Sequence, residues 1–142
     1  MNINIFDEQE IYKIDYDKTE KIVKSVILSE TDDGEYGLNI LICDNERIKE
    51  FNENYRHKTG PTDVLSFEYG LNEEIIGDIV VSVESIAKQA PDFGNTFEDE
   101  FFYILIHGIL HILGYTHEDS EENQKIMYEK QDLYFQKFYK EG

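Results

Sequence analysis

The sequence predicts an α+β fold: a single domain with a small mixed β-sheet of about four strands, covered by helices, and a buried central helix. Three observations predict it. Short apolar runs with strand character alternate with longer runs whose apolar residues recur at helical spacing. One stretch, 97–113, is apolar nearly all round, which marks a helix inside a core and not on a surface. Finally, 142 residues with 40% hydrophobic and 13% aromatic content are enough to build one core. No repeat, low-complexity tract or Pro/Gly/Ser linker divides the chain, so 1–142 reads as one domain.

Each element has a local reason. Residues 3–9 read as a short opening strand. Over 17–30, Ile22, Val23, Val26 and Ile27 fall at helical spacing, with Asp17 as the expected N-cap. DDGEYG, 32–37, reads as a turn, and LNILIC, 38–43, as a buried strand. Asp44 is expected to cap a helix over 44–56 that turns Ile48 and Phe51 inward. A loop follows at 57–61, a β-rich stretch at 62–70, a turn at 72–74 and an apolar strand at 75–82. Ser82 opens a short helix that closes near Pro91, because the residue before a proline disfavours helix. Thr96 starts the central helix, with Asp99 as a weaker form of capping-box partner, and Gly114 stops it. Asp119 with Glu122 is expected to cap a last helix, 121–140, amphipathic through Ile126, Met127, Leu133 and Phe138.

Charge narrows the function classes. Thirty-one acidic residues against thirteen Lys plus Arg give a formal charge of −18. Such a surface repels phosphate backbones and anionic membranes at long range. A nucleic-acid function therefore needs a local basic patch, a bound cation, or a partner that supplies contacts. Cys43 is the only cysteine, which excludes an internal disulfide and a thiolate zinc cluster. Its apolar neighbours make it a small buried side chain. The acidic N-terminus lacks the basic region of a secretory signal. The longest apolar stretch, Phe101 to Tyr115, is shorter than the about 20 residues a membrane span needs. These features predict a cytoplasmic protein with no membrane partner.

Three of the four histidines lie within eleven residues, 107–117. His107 and His111 are four apart, so both face one side of the central helix and can reach one metal ion. Gly108 between them lets other groups approach the helix closely. Gly114 ends the helix and allows the chain to bring His117 back opposite the pair. Two histidines at this spacing on a buried helix are often just hydrogen-bonded core residues. A third, placed directly after a turn glycine, is hard to explain by packing. Three imidazoles leave one zinc position for water, whose pKa then falls to roughly 7 from roughly 15.7. That is the layout of a hydrolytic site. The peptidase motif H-E-x-x-H needs Glu after the first histidine, and Gly108 stands there.

The second unusual passage is Arg56, His57 and Lys58, the densest basic cluster of the chain. Alone it reads as a solvated loop. Beside a metal, Arg56 can bind a phosphate bidentately and stabilise developing charge.

Together these passages resemble the YbeY-type endoribonucleases, the rRNA maturation factors. The family signature H-G-x-L-H-L-x-G-Y-D-H is matched by His107-Gly108-Ile109-Leu110-His111-Ile112-Leu113-Gly114-Tyr115-Thr116-His117. The upstream block Y-R-x-x-x-x-P-T-D-V-L-S-F is matched from Tyr55 to Phe67, and G-D-I-x-I/V by Gly77 to Val81. The resemblance covers about residues 40–135. It departs at Thr116, where the family usually has Asp; a hydroxyl can hydrogen-bond but carries no charge. The resemblance implies a zinc-like ion on His107, His111 and His117, and activity on single-stranded RNA. It also implies work in maturing small-subunit rRNA, including its 3′ end, in ribosome quality control, and a role in activity for Arg56.

The expectation is therefore metal-dependent hydrolysis of RNA. Arg56 would clamp the scissile phosphate, and His57 and Lys58 would help bind the strand. Exposed bases would stack on Tyr55 or Tyr115. The ribosomal small subunit or its assembly proteins would deliver substrate to so acidic a chain. Two rivals stay open at this level: a metallohydrolase of another class, and a non-catalytic, metal-stabilised ribosome-assembly factor.

Overall fold

A computed structural model describes residues 1–31 and 35–142. Of the turn expected over 32–37, residues 32–34 lie outside the described residues. Strand β1 (Asn2–Asp7) alternates, with Ile3 and Ile5 turned to the core and Phe6 to solvent. Helix α1 (Tyr16–Thr31) buries Ile22, Val23, Val26 and Ile27 as expected. Its cap is Asp15 and not Asp17: the Asp15 carboxylate accepts the Lys18 N–H at 3.0 Å. Asp17 lies inside the first turn, where its charge meets the positive end of the helix dipole.

Strand β2 (Gly37–Cys43) leads into α2 (Asn45–Tyr55), where the Asp44 side chain accepts the Arg47 N–H at 2.9 Å. Strands β3 (Val64–Glu68) and β4 (Ile75–Ser82) follow, then α3 (Val83–Gln89), capped by Ser82. A 3₁₀ turn at Ala90–Phe93 carries the chain past Pro91 to α4 (Phe97–Ile112). The α4 capping box is complete. Asp99 N–H donates to the Thr96 hydroxyl at 3.1 Å, and Thr96 N–H donates to the Asp99 carboxylate at 3.2 Å.

The sheet runs β1-β2-β4-β3. The first three strands are parallel and β3 pairs antiparallel with β4. This is the four-stranded mixed sheet the sequence predicts. Its two faces bury unequal loads. Leu38, Ile40, Ile42, Ile79 and Val81 join α1 and α4 in the main core. Cys43, Leu65 and Val80 meet Ile48 of α2 in a smaller one. The Cys43 thiol is buried and, with burial the main cause, pushed up to about 12. It is the inert packing group expected.

Helix α4 is central, with Phe101, Phe102, Leu105, Ile106, Ile109 and Leu110 sealed from solvent. At Gly108 it presses directly on the sheet. A Cβ there would lie 3.2 Å from Ile79 Cγ2 and 3.3 Å from Ser66 Oγ and Val64 Cγ2.

Helix α5 (Glu121–Tyr134) continues into a π-helical turn, Phe135–Lys140. Ser120 caps it, accepting the Asn123 N–H at 3.1 Å; Asp119 instead accepts the Asn123 side-chain amide. The buried stripe also differs from the expected one. It comprises Met127, Gln131 and Tyr134, while Ile126 (41% exposed) and Leu133 (53%) face solvent. A glutamine scores as polar in any hydrophobic pattern, so the true stripe was masked.

Candidate metal centre

Helical geometry puts His107 and His111 one turn apart, with ring centroids separated by 4.8 Å. Helix α4 then stops. Gly114 adopts φ 106°, a left-handed conformation that a residue with a Cβ rarely takes. The Gly114 and Tyr115 N–H groups close the end by donating to the carbonyls of His111 and Leu110, each at 3.0 Å. The chain turns back and sets the His117 ring 4.9 Å from His107 and 5.0 Å from His111. One ligating nitrogen from each ring lies within 4.8 Å of the others. His111 Nε2 and His117 Nδ1 are 3.1 Å apart.

The electrostatics suit a cation. Burial holds His107 below its ordinary pKa. Burial, reinforced by the neighbouring His107 and His117, pushes His111 down to about 4. Both rings are therefore neutral at pH 7 and keep a lone pair. Around a tetrahedral zinc, with nitrogens about 2.1 Å from the ion, the nitrogens lie roughly 3.4 Å apart. The His111–His117 pair, at 3.1 Å, is near that spacing, His107 lies within 4.8 Å of both, and imidazole suits zinc and its transition-metal neighbours. The residues present fit a metal ion.

The trio opens onto a cleft of about 1160 Å³, lined also by Arg56, Lys58, Asp63, Ser66, Tyr115 and Tyr128. Arg56 is the C-cap of α2 and reaches across the edge strand β3. Its Nη2 donates to the Ser66 carbonyl, and its guanidinium lies 5.1 Å from the Phe67 ring centre. No carboxylate pairs with Arg56 among the described residues. Its charge remains available to an anion.

Lys58 lines the cleft; His57 does not. His57 is exposed and takes φ 56°, the left-handed turn at the end of α2. That turn returns Lys58 N–H to the Asn52 carbonyl at 3.2 Å. The buried Asn52 side chain also donates to the Gly60 carbonyl at 2.9 Å, tying down the loop. Tyr55, the last residue of α2, packs on Phe51 and Phe67 and is not among the residues lining the cleft. Tyr115 does line it, with its hydroxyl spent on Glu30. The Thr116 hydroxyl accepts the Glu118 N–H at 3.4 Å.

Sequence reading missed three residues here. Gln131 of α5 touches His107, with Oε1 3.0 Å from Nδ1. Tyr128, also on α5, sets its ring 5.9 Å from His107 and 6.1 Å from His117. Gln89 of α3 bridges two cleft carboxylates, donating to Asp63 at 3.0 Å and Glu100 at 2.8 Å. Only tertiary packing brings these side chains to the site, so no local spacing announces them. Among the described residues, no helix is long and apolar enough to cross a membrane.

Comparison with known proteins places this geometry in context. The family model described as "Endoribonuclease YbeY" matches residues 4–139. A Petrotoga mobilis protein named Endoribonuclease YbeY is 59% identical over 99% of this chain and 98% of its own length. A Sulfurihydrogenibium protein of the same name is 38% identical, over 96% of this chain and 90% of its own. The solution structure of TM1509 from Thermotoga maritima superposes with a TM-score of 0.72 at 34% identity. That match covers 98% of this chain and 90% of the other.

Proposed function

The chain belongs to the YbeY endoribonuclease family, and from that premise we infer that its cleft is where a single RNA strand is bound and hydrolysed. The family acts in rRNA maturation, and RNA is the substrate. The observation that carries the site assignment is the convergence of three imidazoles on the same cleft as Arg56, which has no carboxylate partner among the described residues.

His107, His111 and His117 hold the ion, which we propose to be zinc, one per chain. When bound, such an ion supplies Lewis acidity: it lowers the pKa of coordinated water and polarises a phosphoryl oxygen. Arg56 takes the scissile phosphate. Its guanidinium is oriented by the Ser66 carbonyl and the Phe67 face; its other donors have no partner among the described residues and suit bidentate contact. Lys58 adds a second positive charge on the same wall and guides the strand. Tyr128 and Tyr115 offer ring faces for unstacked bases. His57 shapes the loop that presents Arg56 and Lys58. Residues 1–142 act as one metal-dependent hydrolase domain.

The net charge of −18 opposes RNA over most of the surface. The small ribosomal subunit, or a protein bound to it, is therefore proposed to supply the remaining contacts. The substrate is then small-subunit rRNA near its 3′ end, the setting is ribosome maturation and quality control, and the compartment is the cytoplasm. The test is cleavage of single-stranded RNA by purified wild type, His111→Ala and Arg56→Ala. Loss in both variants is expected, and undiminished cleavage in both overturns the assignment.

A further inference from the structure

The three imidazoles are not held alike. His111 Nε2 and His117 Nδ1 face each other at 3.1 Å, and among the described residues neither ring hydrogen-bonds to any other side chain. His107 instead meets Gln131, which is only 1% exposed. The Gln131 amide has two ends, and its surroundings fix which faces where. Its Nε2 donates to the Tyr103 carbonyl at 3.0 Å. Turned over, the amide would set oxygen against oxygen there. Its Oε1 is therefore the end that lies 3.0 Å from His107 Nδ1.

An amide oxygen only accepts hydrogen bonds, so His107 Nδ1 must carry the hydrogen. A neutral imidazole has one such hydrogen, which leaves Nε2 with its lone pair. The Tyr103 carbonyl sits four residues before His107 in α4, so it also serves the helix ladder at the His107 N–H. Gln131 thus grips a single turn of α4 at backbone and ring together.

We propose that Gln131 is a positioning residue: it selects the Nδ1–H tautomer of His107 and thereby presents Nε2 to the ion. The proposal rests on the metal-centre reading above. It separates the trio into one ring preset before metal arrives and two that must exchange their mutual hydrogen bond for the ion. Hydrogen-bond partners of this kind contribute about 10- to 100-fold to metal affinity.

The test uses the full chain labelled with ¹⁵N. Long-range ¹H–¹⁵N correlation of the metal-free protein at pH 7.5 reads the His107 tautomer directly. Nδ1–H is expected in wild type; Nε2–H overturns the proposal. Zinc titration against a competing chelator then compares wild type, Gln131→Leu and Gln131→Glu. Gln131→Leu should bind zinc about 10- to 100-fold more weakly and show mixed tautomers at His107. Gln131→Glu keeps an acceptor for the ring while setting its second oxygen against the Tyr103 carbonyl, so His107 should remain Nδ1–H in it; mixed tautomers there would contradict the proposal. Zinc affinity and tautomer both unchanged in Gln131→Leu would contradict the proposal. Should Gln131→Leu fail to fold, the wild-type spectrum still decides the tautomer. Wild type that shows Nδ1–H yet takes up no zinc would overturn the metal-centre reading and leave the hydrogen-bond assignment supported.

Discussion

His107 and His111 project from α4, whose neighbours Leu105, Ile106, Ile109 and Leu110 are sealed in the core. Arg56, His57 and Lys58 instead sit on an exposed turn fastened chiefly by Asn52. His107, His111, Arg56 and Lys58 all line one cleft, held by opposite means. Packing fixes the helix that carries His107 and His111 before any ligand arrives, and burial keeps both rings neutral. The basic arm has solvent on one side and few contacts, so it can adjust to a phosphate. A hydrolase needs both: a rigid cation site, and a charged group that follows the substrate.

The comparison breaks first at the rigid half. His111→Ala should lose its ion and cut RNA at background rate, measured by elemental analysis and single-stranded RNA cleavage. Retained zinc in that variant would show that the ion sits elsewhere. Next comes the arm. Arg56→Ala should cut kcat by about 10²- to 10³-fold with metal content unchanged, and Arg56→Lys should recover only part of it. A fall in metal content in Arg56→Ala would mean that the two halves are not independent.

Gly108→Ala tests the packing itself. The new methyl would meet Ile79 Cγ2 at 3.2 Å, and the expected loss is about 1–3 kcal/mol in denaturant unfolding. No loss would mean that α4 can lift from the sheet without consequence.

pH sharpens the contrast further. His111 lies below its unfolded-state pKa of about 6.5, so the folded metal-free protein binds fewer protons than the unfolded chain between that value and about 4. The associated stability is fully present above pH 6.5 and is lost as pH falls toward 4. Melting of metal-free wild type and His111→Ala across this window should converge as pH falls.

The smallest effects belong to the outer arm. Lys58→Ala should weaken RNA binding a few-fold and flatten the salt dependence by about 0.7 in log–log slope, one phosphate contact. His57→Gly, at φ 56°, should keep full cleavage and equal or greater stability.

What the sequence disclosed follows the same division. The i, i+4 histidines, the Gly114 stop and the Thr96–Asp99 box are local patterns with fixed helical geometry, and each reads directly from spacing. Gln131 does not: it lies 24 residues from His107 and interrupts the hydrophobic stripe of α5 with a polar side chain. His57 stands outside the cleft lining for the converse reason. Composition groups it with Arg56 and Lys58, but its place is set by a left-handed backbone that composition does not encode. Asp15 displaced Asp17 as the α1 cap because either acidic residue satisfies the local rule and only the chain path before the helix chooses between them.

The most direct test of the account is single-stranded RNA cleavage by wild type stripped with chelator and then titrated with zinc, with bound metal counted at each point. No cleavage is expected in the stripped protein, with activity that rises in step with binding and levels off at one ion per chain. Full cleavage by metal-free protein would contradict it.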